Sequence, residues 1–565
     1  MNINPKINMT CALITLKVLS KIDPKITIAN IDIDDHGYYV DFLSNHKFSI
    51  NEFKSIEKDM KKIIAAGYKI ISENITSTFK ANFYQNEIII KNKNNVKIAK
   101  LNDELNVVIT NDISNNVNAV KFFELTNIGG VYWNNDVIEQ QLTRIYGSAF
   151  DNKNDYDDWK LFLINQKESD HRKIGQEMEI FTFSNMVGQG LPIWLPNGEI
   201  IKKEIKKVLD NEFENANFMF VDTPVLGSRQ LYEISGHWEH YKENNFPPIA
   251  IDNEIFILRP MTCPHHMMIY KQKPHSYKEL PIYYCENSKL HRYESSGGLI
   301  GLERVRAMEL FDSHIFCKLE QIEDVISKLC KMLKNVHQKL NIKIDQIDLS
   351  LHDPKDKEKY HNDPVMWKNS ENQLRKILKK LKYDANEVVG EAAFYGPKID
   401  FQVKTNLGKI ITISTIQLDF LLPKKFDLEY IDENKNKKCP VLIHFGIIGT
   451  YERFIATLLS QTKGILPFFL MPKQITIIPI KNDLHLEYSK KIYEKLKNNF
   501  FRINLDDSNE RLSKKIRNAQ IAKTPYQIII GDNEVSSNNI SYRQYGNEKS
   551  HICSIDEFIK SIKNQ

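Results

Sequence analysis

Five segments in the middle of the chain are rich in β-branched and aromatic residues, and most neighbours have no helical segment between them. A parallel strand pair needs a crossover connection of a dozen or more residues, usually a helix, so segments this close together favour antiparallel pairing. The pattern therefore predicts an antiparallel sheet as the core of the chain, with a helix-containing insertion at 318–395. The five segments lie at 254–261, 280–293, 304–317, 399–404 and 408–420.

The chain on either side of this core has a different pattern. Residues 9–76 predict a helix, one strand at IDIDDHGYYVDF, a second helix and a second strand, and polar strands continue to about residue 135, which indicates a small α+β domain. From residue 474 strands and helices alternate, which predicts a compact α/β domain. We therefore expect an α+β multidomain protein with four parts: an N-terminal domain at 1–140, a helical linker at 141–168, the sheet core at 169–470 and a C-terminal domain at 471–565.

Composition restricts the class of protein. With 565 residues, of which 42% are hydrophobic, the chain can bury several cores. Its seven cysteines are scattered and odd in number, which argues against a disulfide framework and predicts a reducing compartment, the cytoplasm. The longest apolar runs, such as GILPFFLMP at 464–472, fall short of the ~18 residues of a membrane span. The net charge of +5 is too small to identify a partner, although it suits a local basic face for phosphates.

The segment MTCPHHMMIY at 261–270 places one cysteine beside two histidines. Local spacing leaves three roles open for Cys263: metal ligand, nucleophile or packing. No spacing rule within this segment decides among them.

Two other segments carry arginines in positions that suit phosphate binding. The segment at 291–317 predicts two strands joined by a loop with Gly and Ser, and it includes Arg292 and Arg304. Arginines on a rigid sheet can bind a phosphate through two parallel hydrogen bonds, although a charged hairpin is more often a solvated edge. In GTYERF, Thr450 predicts a helix start with Arg453 in the first turn.

Seven segments, in order along the chain, resemble those of threonyl-tRNA synthetases, a family of class II aminoacyl-tRNA synthetases. The resemblance covers roughly residues 130–565, and the ordered set carries it rather than any single segment. It implies a class II antiparallel core, a C-terminal anticodon-binding domain and ATP-dependent ligation of L-threonine to tRNA(Thr) through a threonyl-adenylate. It also implies a homodimer whose interface includes residues 199–224. The segments are DHRKIGQEME, ISGHWEHYK, RPMTCPHHM, FDSHIFC, GEAAFYGPKIDF, STIQLDFLLP and PVLIHFGIIGTYERF.

By this resemblance, Cys263, His314 and His444 hold a Zn²⁺ ion, and His265 and His266 need not be ligands. Three N and S ligands leave the fourth position of zinc for substrate. A Lewis acid that takes the amino and hydroxyl groups of threonine leaves the near-isosteric valine nothing to coordinate, and sites built for a substrate hydroxyl discriminate by ~10⁴ or more. The resemblance assigns the rest of the threonine pocket to Asp312, Tyr395, Lys398 and Gln417.

The resemblance also implies an ATP site with Mg²⁺. Arg292 would neutralise charge on the transferring phosphate, with further ATP contacts from Glu294, Arg304 and Arg453. Arg453 would also stack on adenine. For transfer of threonine to tRNA, His237 matches the family residue that assists proton movement, although a purely structural histidine explains the residue equally well.

In the C-terminal domain, three residues match family positions that read the threonine anticodon: Asn509, Glu534 and Arg543. Side chains of this kind read exposed bases by hydrogen bonding and stacking. Each residue taken alone is equally well explained as an ordinary polar loop residue.

Several departures from the family leave another interpretation open. The chain has AMELFD where the family has Gly-Phe-Thr-Gln-Asp-Asp, so Met308 replaces a phenylalanine that stacks on adenine, although a thioether also packs on a ring. Thr412 stands where a glutamine is common, and Phe445 where an arginine is common. The alternative is a catalytically inactive synthetase-like protein that binds tRNA or regulates. A prolyl or seryl synthetase of the same class would lack the three zinc ligands.

Near the N-terminus, TCALITLKVLSK aligns with the editing domain of bacterial threonyl enzymes, which hydrolyses serine attached to the wrong tRNA. The family has histidines where Leu13 and Lys17 stand, and a Cys and a His where Ile109 and Ile113 stand. Before residue 169 the chain has two histidines and one cysteine, so the site cannot be rebuilt locally. We therefore expect residues 1–140 to be a degenerate editing domain, in a reduced form without the family's usual first domain.

Overall fold

The structure is a computed structural model that describes residues 3–75, 79–93, 95–102, 105–136, 138–405 and 408–563. The chain divides into two compact units, Met1–Asn165 and Gln166–Gln565. Among the described residues, no helix is both long enough and apolar enough to cross a membrane.

The first unit is an α+β unit built around one buried helix. Helix α1 carries residues that are apolar nearly all round, and it packs against a four-stranded sheet with the order β1-β2-β7-β6. A second, three-stranded sheet has the order β3-β4-β5. The elements are α1 (Pro5–Ile22), β1 (Thr27–Asp34), β2 (Gly37–Leu43), α2 (Phe53–Ala65), β3 (Ile70–Asn74), α3 (Phe83–Lys91), β4 (Lys97–Leu101), β5 (Leu105–Ile109), β6 (Phe122–Tyr132), β7 (Gln141–Phe150) and α4 (Lys153–Glu168).

Two local predictions for this region are wrong. The segment IDIDDHGYYVDF is a hairpin of β1 and β2 rather than one strand. The chain reverses just before Gly37, where an added Cβ would lie 2.2 Å from the carbonyl oxygen of Gly147. The first ten residues of the expected helical linker at 141–168 form β7, because they pair with both β2 and β6 and the two ladders outweigh local helical preference.

The second unit contains the predicted sheet core and its helices. Its elements up to the end of the core are α5 (His171–Glu177), β8 (Phe181–Thr182), β9 (Ile193–Trp194), α6 (Pro196–Asn215), β10 (Met219–Phe220), β11 (Leu226–Ser228), α7 (Arg229–Ser235), α8 (His237–His240), β12 (Ile249–Ile251), β13 (Glu254–Leu258), α9 (Cys263–Lys271), β14 (His275–Ser276), β15 (Ile282–His291), β16 (Ala307–Cys317), α10 (Ile322–Lys339), β17 (Gln346–Leu351), α11 (Pro364–Lys380), β18 (Asn386–Val389), β19 (Lys398–Lys404), β20 (Ile410–Asp419), α12 (Leu422–Lys425), β21 (Tyr430–Ile431), β22 (Lys437–Lys438), β23 (Val441–Thr450) and α13 (Tyr451–Thr462).

An eight-stranded sheet with the order β10-β15-β16-β23-β20-β19-β17-β18 forms the centre of this unit. The strands between the two edges pair antiparallel, which confirms the predicted core for four of the five segments. The fifth segment, at 254–261, forms β13 of a separate three-stranded sheet with the order β11-β13-β12. Parallel pairs occur at the edges, β10 with β15 and β17 with β18. The helix-containing insertion predicted at 318–395 includes the helices α10 and α11, and it also supplies the strands β17 and β18 to the sheet.

The two faces of the sheet carry different clusters. On one face, α6 packs through Ile201, Ile205, Leu209 and Phe213, which recur every four residues and join the largest apolar core. On the other face, α9 packs against Tyr284, Phe316 and Leu442. Since successive residues of a strand alternate between faces, Leu442 of β23 belongs to the cluster with α9, whereas Ile443 and Phe445 belong to the large core.

The C-terminal part of the second unit is the predicted α/β arrangement. Its five-stranded sheet has the order β25-β24-β26-β27-β28, with the first three strands parallel. Its elements are β24 (Ile475–Pro479), α14 (Asn482–Lys497), β25 (Ile503–Leu505), α15 (Leu512–Ile521), β26 (Tyr526–Ile530), α16 (Asp532–Ser537), β27 (Ile540–Gln544), β28 (His551–Cys553) and α17 (Ile555–Ile562).

Candidate active site

One row of directly opposed residues crosses four adjacent strands of the large sheet. His314 of β16 lies opposite His444 of β23, which lies opposite Gln417 of β20, which lies opposite Lys398 of β19. Opposed residues project from the same face with their Cβ atoms about 5 Å apart. The register of the sheet therefore brings together residues that are far apart along the chain.

A second row runs parallel to the first. It contains Glu286 of β15, Asp312 of β16, Gly446 of β23 and Thr415 of β20. A Cβ added to Gly446 would have one neighbour within 4 Å, the Thr415 methyl group at 3.6 Å. The glycine therefore leaves open space beside Asp312 for a small ligand.

Helix α9 packs on this face of the sheet and brings Cys263 to the two histidines of the first row. It begins at Cys263, and Pro264 occupies its first turn, where a missing N–H costs nothing. The donor atoms of Cys263, His314 and His444 all lie within 4.8 Å of one another, and the three side chains are buried. Two ligands of a tetrahedral zinc ion are separated by about 3.5 Å. His314 Nε2 and His444 Nδ1 are 3.1 Å apart, so the geometry fits a metal ion.

The protonation of these groups also fits a metal. Burial raises the pKa of the Cys263 thiol well above its usual range, and Asp312 and Asp419 raise it further. A Cys263 thiolate therefore needs a cation beside it. Burial, together with His266 and His444, lowers the pKa of His314 well below its usual range, so this imidazole is neutral and has a lone pair to donate.

Asp419 fixes the orientation of one of the three. Its Oδ2 lies 2.9 Å from His444 Nε2, and its Oδ1 accepts backbone hydrogen bonds from Leu421 and Leu422 at 2.7 and 2.9 Å. A carboxylate that accepts from one ring nitrogen of a histidine leaves the other nitrogen as the metal donor. His444 Nδ1, which faces His314, is thereby the ring nitrogen whose lone pair is available to a metal ion.

The residues expected to hold threonine lie around the group of Cys263, His314 and His444, which we call the cluster. The Tyr395 hydroxyl donates to Gln417 Oε1 at 2.5 Å, and the Tyr395 ring stacks on His444 with centroids 4.8 Å apart. The Lys398 ammonium pairs with Asp400. Burial raises the pKa of Asp312, whose Oδ1 accepts the backbone N–H of Ser313.

His237 also lies beside the cluster, at the start of the short helix α8. Its Nδ1 lies 2.8 Å from Ser235 Oγ and its Nε2 3.6 Å from Cys263 Sγ. Burial, with smaller contributions from His444 and Lys425, lowers the pKa of His237 to about 3, so the ring is neutral near pH 7. Both ring nitrogens have partners in this structure.

Of the residues expected to bind ATP, Arg292, Glu294 and Arg304 lie between β15 and β16, and Arg453 lies in the first turn of α13. Arg292 donates to the carbonyl oxygen of Pro260 at 3.2 Å, and Arg304 forms an ion pair with Glu294 at 2.8 Å. Arg453 follows the cap residue Thr450, which confirms the predicted helix start. Its Nε donates to the Glu303 carbonyl, and burial together with Arg292 lowers its pKa.

The departures from the family pattern fall on different faces of the sheet. Phe445 is fully buried in the large core, stacked on Phe213 with centroids 5.9 Å apart, so its side chain faces away from the cluster. The Thr412 hydroxyl donates to Gln402 Oε1 at 2.8 Å. Met308 is half-buried on β16, opposite Leu290.

The expected anticodon residues lie in the C-terminal sheet region. Asn509 follows β25 and accepts a hydrogen bond from Asn482 at 3.2 Å. Glu534 lies in α16, just after β26, and its carboxylate accepts the backbone N–H of Gly531. Arg543 of β27 donates to Gln527 Oε1 through two nitrogens. Asn509 and Glu534 therefore lie at the same end of the sheet, beyond the carboxyl ends of its parallel strands, since β25 and β26 are both parallel to β24.

Comparison with known proteins identifies the family. The family described as "tRNA synthetase class II core domain (G, H, P, S and T)" matches residues 246–462, and "Anticodon binding domain" matches residues 474–565. The "Threonine--tRNA ligase" of Ureaplasma parvum serovar 3 is 49% identical over 569 residues, which cover 99% of this chain and 98% of that protein. The chain belongs to the threonine–tRNA ligase family.

Other members of the threonine–tRNA ligase family are similar along most of the chain. The ligase of Mycoplasmoides gallisepticum is 43% identical over 566 residues, with 98% of this chain and 99% of that protein covered. A solved structure, the RNA binding domain of threonyl-tRNA synthetase from Cryptosporidium parvum Iowa II, matches with a TM-score of 0.65 at 34% identity and covers 70% of this chain and 98% of that one. The predicted class II fold and the family are thus confirmed.

Proposed function

We propose that the chain ligates L-threonine to tRNA(Thr) with ATP, in two steps through a threonyl-adenylate. The observation that carries this proposal is the buried group of Cys263, His314 and His444, which come from three separate segments, in a chain of this family. The amino-acid pocket, the arginines and the anticodon residues then take the roles that the resemblance implies.

We assign Zn²⁺ to Cys263, His314 and His444, because one thiolate and two neutral imidazoles are the donors this ion prefers. When bound, the ion supplies a Lewis acid for the amino and hydroxyl groups of threonine. Asp312 lies in the neighbouring row of the sheet, beside the open space at Gly446, and accepts a proton from one of these groups. The Tyr395–Gln417 hydrogen bond and Lys398 close the pocket on the β20 and β19 side.

In the first step, the threonine carboxylate attacks the α-phosphate of ATP, and pyrophosphate leaves with Mg²⁺. Arg292 stabilises the charge that develops on the transferring phosphate, which is the role of a preorganised donor. Arg453 and Met308 bind adenine between a guanidinium plane and a thioether. Glu294 and Arg304, which form an ion pair with each other at 2.8 Å, hold the nucleotide from the loop between β15 and β16.

In the second step, a ribose hydroxyl of the terminal tRNA adenosine attacks the adenylate. His237 assists removal of the hydroxyl proton, since a neutral imidazole accepts a proton. Its two present partners, Ser235 and Cys263, mean that one ring nitrogen must be released for this task. Asn509, Glu534 and Arg543 read the anticodon.

We further propose that the N-terminal unit does not edit Ser-tRNA(Thr). Leu13, Ile109 and Ile113 belong to one apolar core there, and Lys17 is buried as well. The three apolar side chains at these positions cannot activate water for ester hydrolysis, so three of the four polar groups of the family's editing site have no counterpart at the aligned positions. The unit is a structural remnant within residues 1–140 that packs and can still contact tRNA.

The protein acts as a homodimer in the cytoplasm. Met219 and Phe220 of the edge strand β10 are about half exposed, as are Ile249, Ile251 and Ile255 of the neighbouring hairpin. An exposed apolar edge of this kind favours a protein interface. The family interface at 199–224 includes β10.

Charging of tRNA(Thr) tests the proposed function. The full chain with threonine, ATP and Mg²⁺ should form threonyl-tRNA, and His314→Asn should abolish it. His337→Asn is the matched control, because His337 is buried against the large core and bonds to Ser414 rather than to the cluster. Failure of the unaltered chain to charge tRNA(Thr) or to activate threonine would favour the inactive synthetase-like alternative.

A further inference from the structure

The second histidine of the CPHH segment connects the metal cluster to a buried ion pair. His266 lies one turn after Cys263 in α9, and residues three apart in a helix share a face. Its Nδ1 lies 2.9 Å from His314 Nδ1, and its Nε2 lies 3.1 Å from Glu286 Oε2. His266 is fully buried. His265, by contrast, lies against Tyr232, with ring centroids 6.0 Å apart.

Glu286 is held in turn by residues that are themselves buried. Arg259 donates to Glu286 Oε1 at 2.9 Å, and the Thr223 hydroxyl donates to Oε2 at 2.7 Å. Arg259 also donates to the carbonyl oxygens of Thr223 and Lys289. Glu286 and Arg259 are each 1% exposed. Because desolvation makes such a buried ion pair a poor source of stability, its presence calls for another explanation.

The direction of the hydrogen bonds supplies one. A neutral histidine that binds a metal through Nε2 carries its proton on Nδ1, so His314 Nδ1–H donates to His266 Nδ1. His266 then carries its own proton on Nε2 and donates it to Glu286. The reverse arrangement would point a lone pair of His266 Nε2 at the Glu286 carboxylate. Glu286, fixed by Arg259, therefore selects the tautomer of His266, and His266 selects that of His314.

We propose that His266 and Glu286 are positioning residues that keep His314 Nε2 free for the metal ion. This inference rests on the proposed zinc site and adds a role for the histidine that the resemblance left without one. The two ligand histidines are then oriented by different devices, His444 by Asp419 directly and His314 by a chain of two residues.

Zinc dissociation constants of the full chain, measured by competition with a chelator of known affinity, test this proposal. His266→Leu fills a similar volume without an acceptor and should weaken zinc binding ~10- to 100-fold, the usual effect of losing such a partner. His266→Asn places an amide oxygen near the position of Nδ1 and should restore most of the affinity. His265→Ala is the matched control on the same helical turn and should bind zinc like the unaltered chain.

Each outcome separates the inference from the proposed function. Absence of zinc in the unaltered chain overturns the proposed metal site itself. Zinc binding that is normal in the unaltered chain and equally tight in His266→Leu overturns the positioning role. Equal losses in His266→Leu and His266→Asn, with unchanged Tm, overturn the hydrogen bond as the cause. If His266→Leu misfolds, Glu286→Gln decides: its amide oxygen remains opposite Arg259, its NH₂ group faces His266 Nε2 and favours the other tautomer, and zinc binding should weaken ~10- to 100-fold. Unchanged zinc affinity in Glu286→Gln overturns the positioning role.

Discussion

Replacement of Asp419 by asparagine tests how His444 is prepared for metal binding. The Asp419 side chain is fully buried, and its two oxygens have separate tasks. Oδ1 accepts the backbone N–H groups of Leu421 and Leu422, and Oδ2 accepts from His444 Nε2 at 2.9 Å. Asparagine retains the first oxygen, so the start of α12 keeps both hydrogen bonds.

The second position changes from acceptor to donor. The asparagine NH₂ group would face His444 Nε2–H, and the conflict is relieved when the imidazole moves its proton to Nδ1. Nδ1 is the atom that lies 3.1 Å from His314 Nε2, and once protonated it has no lone pair for zinc. We expect zinc affinity to fall ~10- to 100-fold, which corresponds to ~1.4–2.7 kcal/mol.

Two measurements check this expectation. Competition with a chelator gives the zinc dissociation constant, and threonine-dependent ATP–pyrophosphate exchange gives the loss in activation. Asp348→Asn is the control, because Asp348 is another buried aspartate of the same sheet that accepts from Gln346, Asn386 and Gln402. Unchanged zinc affinity in Asp419→Asn, or an equal loss in Asp348→Asn, would refute the tautomer argument.

Three further substitutions and one assay of the unaltered chain have expected outcomes. Cys263→Ser should lose zinc and threonine activation together while keeping the fold. A variant that contains no zinc by metal analysis but activates threonine at the normal rate would show that activation does not need a metal ion at this site. Arg292→Ala should slow adenylate formation by ~10²–10³, or ~3–4 kcal/mol, in exchange assays; unchanged kinetics would exclude it from catalysis. His237→Ala should slow transfer to tRNA in single-turnover assays but leave exchange nearly intact, whereas equal losses in both would assign it a structural role. With the full chain present, Ser-tRNA(Thr) should hydrolyse no faster than in buffer alone. Rapid release of serine that depends on residues 1–140 would contradict the loss of editing.

The sequence predicts the fold best where short connections restrict it. Neighbouring β-rich segments without crossover helices predict the antiparallel pairing of β15 with β16 and of β19 with β20, and the structure has both pairs. The sequence predicts a helical linker for the residues of β7, and this prediction is wrong because the state of these residues depends on pairing with β6 and with β2, which is about 100 residues earlier in the chain. The same applies to β17 and β18, which join the sheet from within the expected insertion.

The group of Cys263, His314 and His444 shows most clearly what local sequence patterns cannot predict. His314 and His444 are 130 residues apart and meet because β16 and β23 pair in that register. Spacing alone could not reveal this, and the resemblance to a family supplied it. The position of His266 near this group can be predicted from spacing, since it lies three residues after Cys263 at the start of a helix and residues three apart share a helix face. The positions of Asp419 and Glu286 cannot be predicted in this way, because their partners depend on the register of the sheet.

The most direct test of the account is threonine-dependent ATP–pyrophosphate exchange by the purified full chain, with valine as the comparison amino acid. The site of Cys263, His314, His444 and Asp312 predicts exchange with threonine and a rate with valine that is lower by ~10⁴ or more, because valine has no hydroxyl group for this site to bind. Absence of exchange with threonine under conditions in which the chain is folded and holds zinc would contradict the assignment and leave the inactive synthetase-like protein in its place.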